Sequence, residues 1–155
     1  DVGVFYRGFH GDAARTFPVG VVSAEAASLL ATTAEALTAG EAQARCGNHL
    51  GDISYAVQSV VEPRGYYLTR QYSGHGIGRH LHEAPQILNV GSPGQGITLA
   101  EGMALCIEPM VLIGTAQTRV LEDQWTVVST NGALTAHFEN TLAIVDGEPE
   151  ILTRL

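Results

Sequence analysis

No lysine occurs anywhere in the 155 residues; all eight basic residues are arginine, set against sixteen acids for a formal net charge of −8. The arginines are scattered rather than gathered into a stripe, so an acidic chain of this kind repels phosphate backbones and nucleic acid is not an expected partner. Long apolar runs are also missing. No stretch approaches the ~18 to 20 residues that span a bilayer, and no charged-then-apolar start resembles a signal peptide, so the expectations are no membrane association and a cytoplasmic location. Cysteine is scarce. Cys46 falls in a predicted loop and Cys106 in an apolar strand, far apart in sequence, which argues against a disulfide framework. Cys106 reads as a small buried hydrophobe, with metal binding two residues before Glu108 as the other reading.

What is present suits one globular domain over residues 1–155, with 45% hydrophobic and only 15% charged residues to build its core. Eighteen glycines and six prolines predict many short strands and loops around a few helices. Val2 to Tyr6 and Phe9 onward read as a β-hairpin turning at Tyr6-Arg7-Gly8, which puts Asp1 and Asp12 opposite each other within a residue of register. Ser23 is the predicted N-cap of a helix running through Ala26–Leu37 and ended by Gly40. Asp52 is the predicted cap of a second, whose Ile53, Ala56, Val57, Val60 and Val61 form one stripe before Pro63 and Gly65 stop it. Both helices should lie across one sheet face. Strands are expected at Tyr66–Tyr72, Met103–Ile107, Val120–Leu121, Thr126–Ser129 and Thr135–Val145, with Asn131-Gly132 as a hairpin turn.

Five residues stand in settings that a paired divalent-metal site would use: Asp1, Asp12, His75, Glu108 and Glu139. Glycines at 74, 76 and 78 frame His75 and let the backbone come close to a ligand, and His82 follows seven residues later. Glu108 ends the apolar run Met103–Ile107, where an ionised acid is costly without compensation, and Glu139 poses the same question in the strand Thr135–Val145. Four acids brought together need cations or protons. Two dications would balance all four and take the net charge from −8 to −4.

These strings resemble a family. Asp1 to Phe17, the glycine-framed His75, Ile107-Glu108-Pro109-Met110, Trp125-Thr126-Val127 and Ala136-His137-Phe138-Glu139 look like type I methionine aminopeptidases, along nearly the whole chain. The resemblance implies the α+β pita-bread fold, a curved antiparallel sheet with helices on its outer face around a dinuclear metal site. It implies that Asp1 chelates one ion, Asp12 and Glu139 bridge both, and His75 and Glu108 complete the other. His82 then contacts the substrate amide, while Trp125 and Leu81 line the methionine pocket. Neither His82 nor Trp125 is a metal ligand in this reading. The donor set suits two divalent ions among Co, Mn, Fe and Zn. Such a pair activates a bridging water as hydroxide and polarises the scissile carbonyl, with Glu108 passing the proton to the leaving amine. The implied substrates are peptide and nascent-protein N-termini that begin with Met.

The chain departs from the family in three places. It starts on its own first ligand, so the family's first half is not represented; the expectation is a catalytic portion of a longer protein. Uncovered sheet edges would then favour self-association. Leu81 stands where Phe is common, and Asn140 where His is common. Two other readings compete: an X-Pro dipeptidase or aminopeptidase of the same fold, towards which Arg15-Thr16-Phe17-Pro18-Val19 points, and a pita-bread module that binds peptide without catalysis. Retention of all five ligand positions weighs against the last.

Overall fold

The computed structural model describes residues 1–154. A hairpin opens the chain, β1 (Val2–Tyr6) and β2 (Phe9–Ala14), and is followed by two helices, α1 (Ala24–Gln43) and α2 (Leu50–Val61). Ten short strands complete it: β3 (Tyr66–Leu68), β4 (Gly74–Gly76), β5 (Glu83–Ile87), β6 (Ala104–Ile107), β7 (Met110–Ile113), β8 (Thr118–Val120), β9 (Val127–Ser129), β10 (Thr135–His137), β11 (Glu139–Ala143) and β12 (Glu150–Ile151). The main sheet runs β1-β2-β11-β6-β4-β5, with β12 also on β11; β10-β7-β3 form a second sheet and β8-β9 a hairpin. Every pairing is antiparallel. No described helix is long and apolar enough to cross a membrane.

The first hairpin forms as expected, but two residues out of the expected register. Arg7 and Gly8 both take positive φ, 50° and 89°, which is the two-residue turn that matches strand twist. Tyr6 therefore pairs with Phe9, and Asp12 faces Gly3 rather than Asp1. Because side chains alternate with a period of two, a shift of two keeps Asp1 on the face of Asp12.

Helix α1 begins where Ser23 Oγ accepts the Ala26 N–H, yet it runs through Gly40 instead of ending there. The glycine is a contact point. A Cβ at residue 40 would meet Val57 at 2.8 Å and Ile107 at 3.2 Å, so its absence lets α1 approach both α2 and the sheet. Helix α2 starts earlier than expected: His49 is the N-cap, and Asp52 sits three residues in, its carboxylate accepting the His49 N–H at 2.7 Å. The stripe of α2 is buried as its spacing requires, with Ile53, Val57 and Val61 fully inside a core shared with Leu29, Leu37, Leu105, Ile107, Leu142 and Ile144. Both helices cover the side of the sheets away from the cleft described below.

Four strands lie outside the expected ones: β4, β5, β7 and β12. The first is glycine-rich, the second contains Pro85, and the third and fourth follow Pro109 and Pro149, so each violates the local signal of a strand. Thr135–Val145 is not one strand. It breaks at Phe138, whose N–H donates to the Pro109 carbonyl, and its two parts join different sheets. Asn131-Gly132 is a turn, with Gly132 at φ 73°, but β9 and β10 on either side of it pair elsewhere and form no hairpin.

Candidate metal centre

All five predicted ligand positions converge on the open side of the main sheet. Asp12 comes from β2, His75 from β4 and Glu139 from the first residue of β11, while Glu108 follows β6 directly. His75 Nε2 lies 3.5 Å from Glu108 Oε1 and 3.8 Å from Asp12 Oδ2. Donor atoms of Asp12, His75, Cys106 and Glu139 lie within 4.8 Å of one another, and those of Asp1, His137 and Glu139 form a second such group. Glu139 belongs to both, at the junction of two candidate ion positions.

The scaffold under these side chains is specific. Thr141 Oγ1 accepts the Asp12 N–H at 2.9 Å and donates to the Asp12 carbonyl at 2.7 Å, locking β2 onto β11 beside two ligands. Arg15 donates to the backbone carbonyl of Glu139 and, at 2.6 Å, to Asn140 Oδ1. Asn140 also accepts from Thr153 and donates to the buried Glu41, so it is a hub holding the backbone behind Glu139. The glycines around His75 serve strand packing more than ligand approach. A Cβ at Gly74 would lie 2.2 Å from the Cys106 carbonyl oxygen, and one at Gly76 2.2 Å from that of Ala84.

The electrostatics favour cations. His75 Nδ1 is 2.9 Å from the Gly76 carbonyl, which can only accept, so Nδ1 carries the proton and the Nε2 lone pair faces the carboxylates. Lone pairs facing one another at these distances repel unless a positive charge lies between them. Asp12 Oδ1 and Glu139 Oε1 are buried and have no hydrogen-bond partner. Burial, reinforced by the charges of Glu108 and Asp12, pushes the Glu139 carboxyl up to about 8. Without a cation, the cluster lowers its energy by holding a proton. These orphaned oxygens, the exposed lone pair and the O/N donor set fit divalent ions. Cys106 is wholly buried; burial raises its thiol, and Sγ lies 3.4 Å from Thr141 Oγ1, as suits a neutral side chain in the wall.

Above this wall opens a cleft of about 720 Å³, lined among others by Asp1, Asp12, His75, His82, Glu108 and Trp125. His82 meets His75 edge to face, with ring centroids 4.5 Å apart. Leu81 also lines the cleft, where the bare Cα of Gly3 leaves it room, at 3.3 Å from a would-be Cβ. Trp125 stands in the β8–β9 loop and is 86% exposed, so it borders the cleft without closing it. His137, which carries no candidate role in the sequence motif Ala136-His137-Phe138-Glu139, also lines the cleft. Its position two residues before Glu139 was the available signal, since alternation can return such a residue to the same side.

The cleft, floored by carboxylates and one lone-pair-bearing imidazole, is set on a curved antiparallel sheet backed by two helices, which is the pita-bread architecture. Residues 1–146 match the sequence profile of Metallopeptidase family M24, and the chain belongs to that family. It is similar to the methionine aminopeptidase of Clostridium acetobutylicum, at 50% identity over 99% of this chain and 61% of the relative. Methionine aminopeptidase 1 of Bacillus subtilis is 45% identical over 100% and 62%. The crystal structure of the Thermotoga maritima methionine aminopeptidase superposes with a TM-score of 0.96 at 44% identity, over 99% of this chain and 61% of that one. The prolidase of Pyrococcus furiosus shares the fold at TM-score 0.75 and 21% identity, over 99% and 40%. The chain thus spans about three fifths of the length of the curated relatives it matches.

Proposed function

We propose that the chain is the metal-bearing catalytic domain of a methionine aminopeptidase, removing N-terminal Met from peptides and nascent proteins. The observation that carries this reading is the pair of buried, partnerless carboxylate oxygens on Asp12 and Glu139 facing the His75 lone pair at the floor of an open cleft. Asp1, Asp12, His75, Glu108 and Glu139 would hold two divalent ions, which when bound supply an activated water and polarise a peptide carbonyl.

The remaining chemistry falls to side chains of this chain. Glu108 Oε1 and Oε2 lie 3.5 Å from His75 and His137 respectively, and the carboxyl borders the cleft, where it can receive a proton and return it to a leaving amine. His82 is exposed beside His75 and reaches the cleft from the rim, the position from which an imidazole N–H can bond the substrate's amide. Leu81, Met110 and Trp125 supply apolar walls for a thioether side chain.

The metal-loaded protein is expected to hydrolyse Met-Ala-Ser and to leave Xaa-Pro peptides intact. Cleavage of Xaa-Pro in preference would assign it instead to the X-Pro peptidases of the same fold. Tight binding of Met-Ala-Ser without release of methionine would favour a binding module. His82→Ala should lower kcat by about 10²- to 10⁴-fold while metal content stays unchanged.

A further inference from the structure

The geometry points to His137 as a sixth protein ligand, an imidazole that binds the ion on the Asp1 side of the centre. This rests on the reading that the cluster holds divalent ions. A ring nitrogen of His137 and carboxylate oxygens of Asp1 and Glu139 lie within 4.8 Å of one another. Donors bound at about 2.0 to 2.2 Å around one ion are separated by at most about twice that distance, so a small inward movement closes the group onto a cation.

The state of the ring supports ligation. His137 Nε2 is buried and has no hydrogen-bond partner, although a quarter of the side chain (26%) is exposed. Its nearest acid is Glu108, with Oε2 at 3.5 Å, too long for a good hydrogen bond. An imidazole nitrogen kept from water, surrounded by carboxylates from β11, the β6 end and the start of β1, and bonded to none of them, lacks a partner that a metal ion would supply. The location matters as well. On the other side of the centre, His75 already contributes nitrogen beside Asp12 and Glu108. With His137, each ion would have one imidazole, and the Asp1-side position would prefer borderline ions such as Co or Zn over Mn more strongly than carboxylates alone allow.

The test uses Co(II) as the probe and does not depend on activity. Protein loaded with two equivalents of Co(II) should show two solvent-exchangeable, hyperfine-shifted imidazole N–H proton signals, one for His75 and one for His137. His137→Gln, which keeps a hydrogen-bond donor near Glu108, should lose one signal. Its weaker Co(II) site should drop in affinity by at least ~10-fold, the least expected when a group acting directly on the metal is removed. Its preference for Co(II) over Mn(II) should fall as well. Two bound ions with a single imidazole signal in the unaltered protein would overturn the inference and leave the dinuclear reading standing. A His137→Gln titration superimposable on that of the unaltered protein would do the same. Failure to bind Co(II) at all would overturn both. The signal count in the unaltered protein decides the question even where the variant does not fold.

Discussion

At the centre of the main sheet, Leu105, Cys106, Ile107 and Leu142 are no more than 1% exposed, whereas at its edge β1 leaves Val2, Val4, Phe5 and Tyr6 between 53% and 66% exposed. The proposed ligands are divided between these two regions. Asp12, His75 and Glu139 stand on strands paired on both sides and are at most 8% exposed, while Asp1 lies at the start of an edge strand and is exposed. The contrast separates two tasks. The buried wall removes water from acids and so makes a cation necessary; the edge leaves one acid open to solvent and leaves apolar surface uncovered.

The largest effect should come from breaking the wall chemically. Glu139→Gln removes the acid shared by both donor groups, so metal analysis should find occupancy of both positions sharply reduced and kcat/KM down by at least ~100-fold. Asp1→Asn, at the edge, should weaken one ion and spare the other. Equal loss in both variants would erase the proposed difference between the regions.

Breaking the wall sterically comes next. Gly76→Ala places a Cβ 2.2 Å from one backbone oxygen of β5, and overpacking of this kind costs about 1 to 3 kcal/mol. Thermal unfolding should register it, and an unchanged Tm would mean that β4 and β5 separate freely.

The wall's acids also set a pH dependence. Burial, then the charges of Glu108 and Asp12, raises Glu139 to about 8 in the fold, above its unfolded value. The metal-free fold therefore binds this proton more tightly than the unfolded chain does. Its contribution to stability is complete below the unfolded pKa and is lost as pH rises towards about 8. Tm of metal-free protein should fall by several degrees between about pH 5 and pH 8, where Asp and Glu in unfolded chains are already ionised. Added divalent metal should restore it at the upper end. A metal-free Tm that rises over this range would contradict the assignment.

The smallest effect belongs to the edge. Phe5→Ser should alter stability by no more than about 0.5 kcal/mol, as expected of an exposed position. If copies associate through β1, the same change should shift sedimentation towards monomer. An identical distribution before and after would exclude β1 as the contact.

The division between wall and edge also explains what could be read in advance. The acids and His75 were legible because a charge at the end of an apolar run, or within a glycine frame, is locally anomalous. The α2 stripe and the Arg7-Gly8 turn were legible for the same reason, since their signals are contained in a few residues. The register of β1 against β2 was not, because the two positive-φ residues fix it and the sequence pattern tolerates a shift of two. Gly40 misled because a glycine that permits close packing looks the same in sequence as one that ends a helix. β4 and β7 were hidden because their strand character comes from neighbours on either side, and β5 and β12 because theirs comes from the one strand each pairs with. The support that Arg15, Asn140 and Thr141 give to Glu139 and Asp12 depends on contacts more than a hundred residues apart, which no local pattern carries.

The central claim is that a buried wall of acids exists to hold cations. It is tested most directly by the metal content of the protein purified under reducing, metal-replete conditions and measured by plasma mass spectrometry. About two divalent ions per chain, lost in Glu139→Gln, is the result this account predicts. A chain that folds with its acids buried and retains no divalent ion would contradict it.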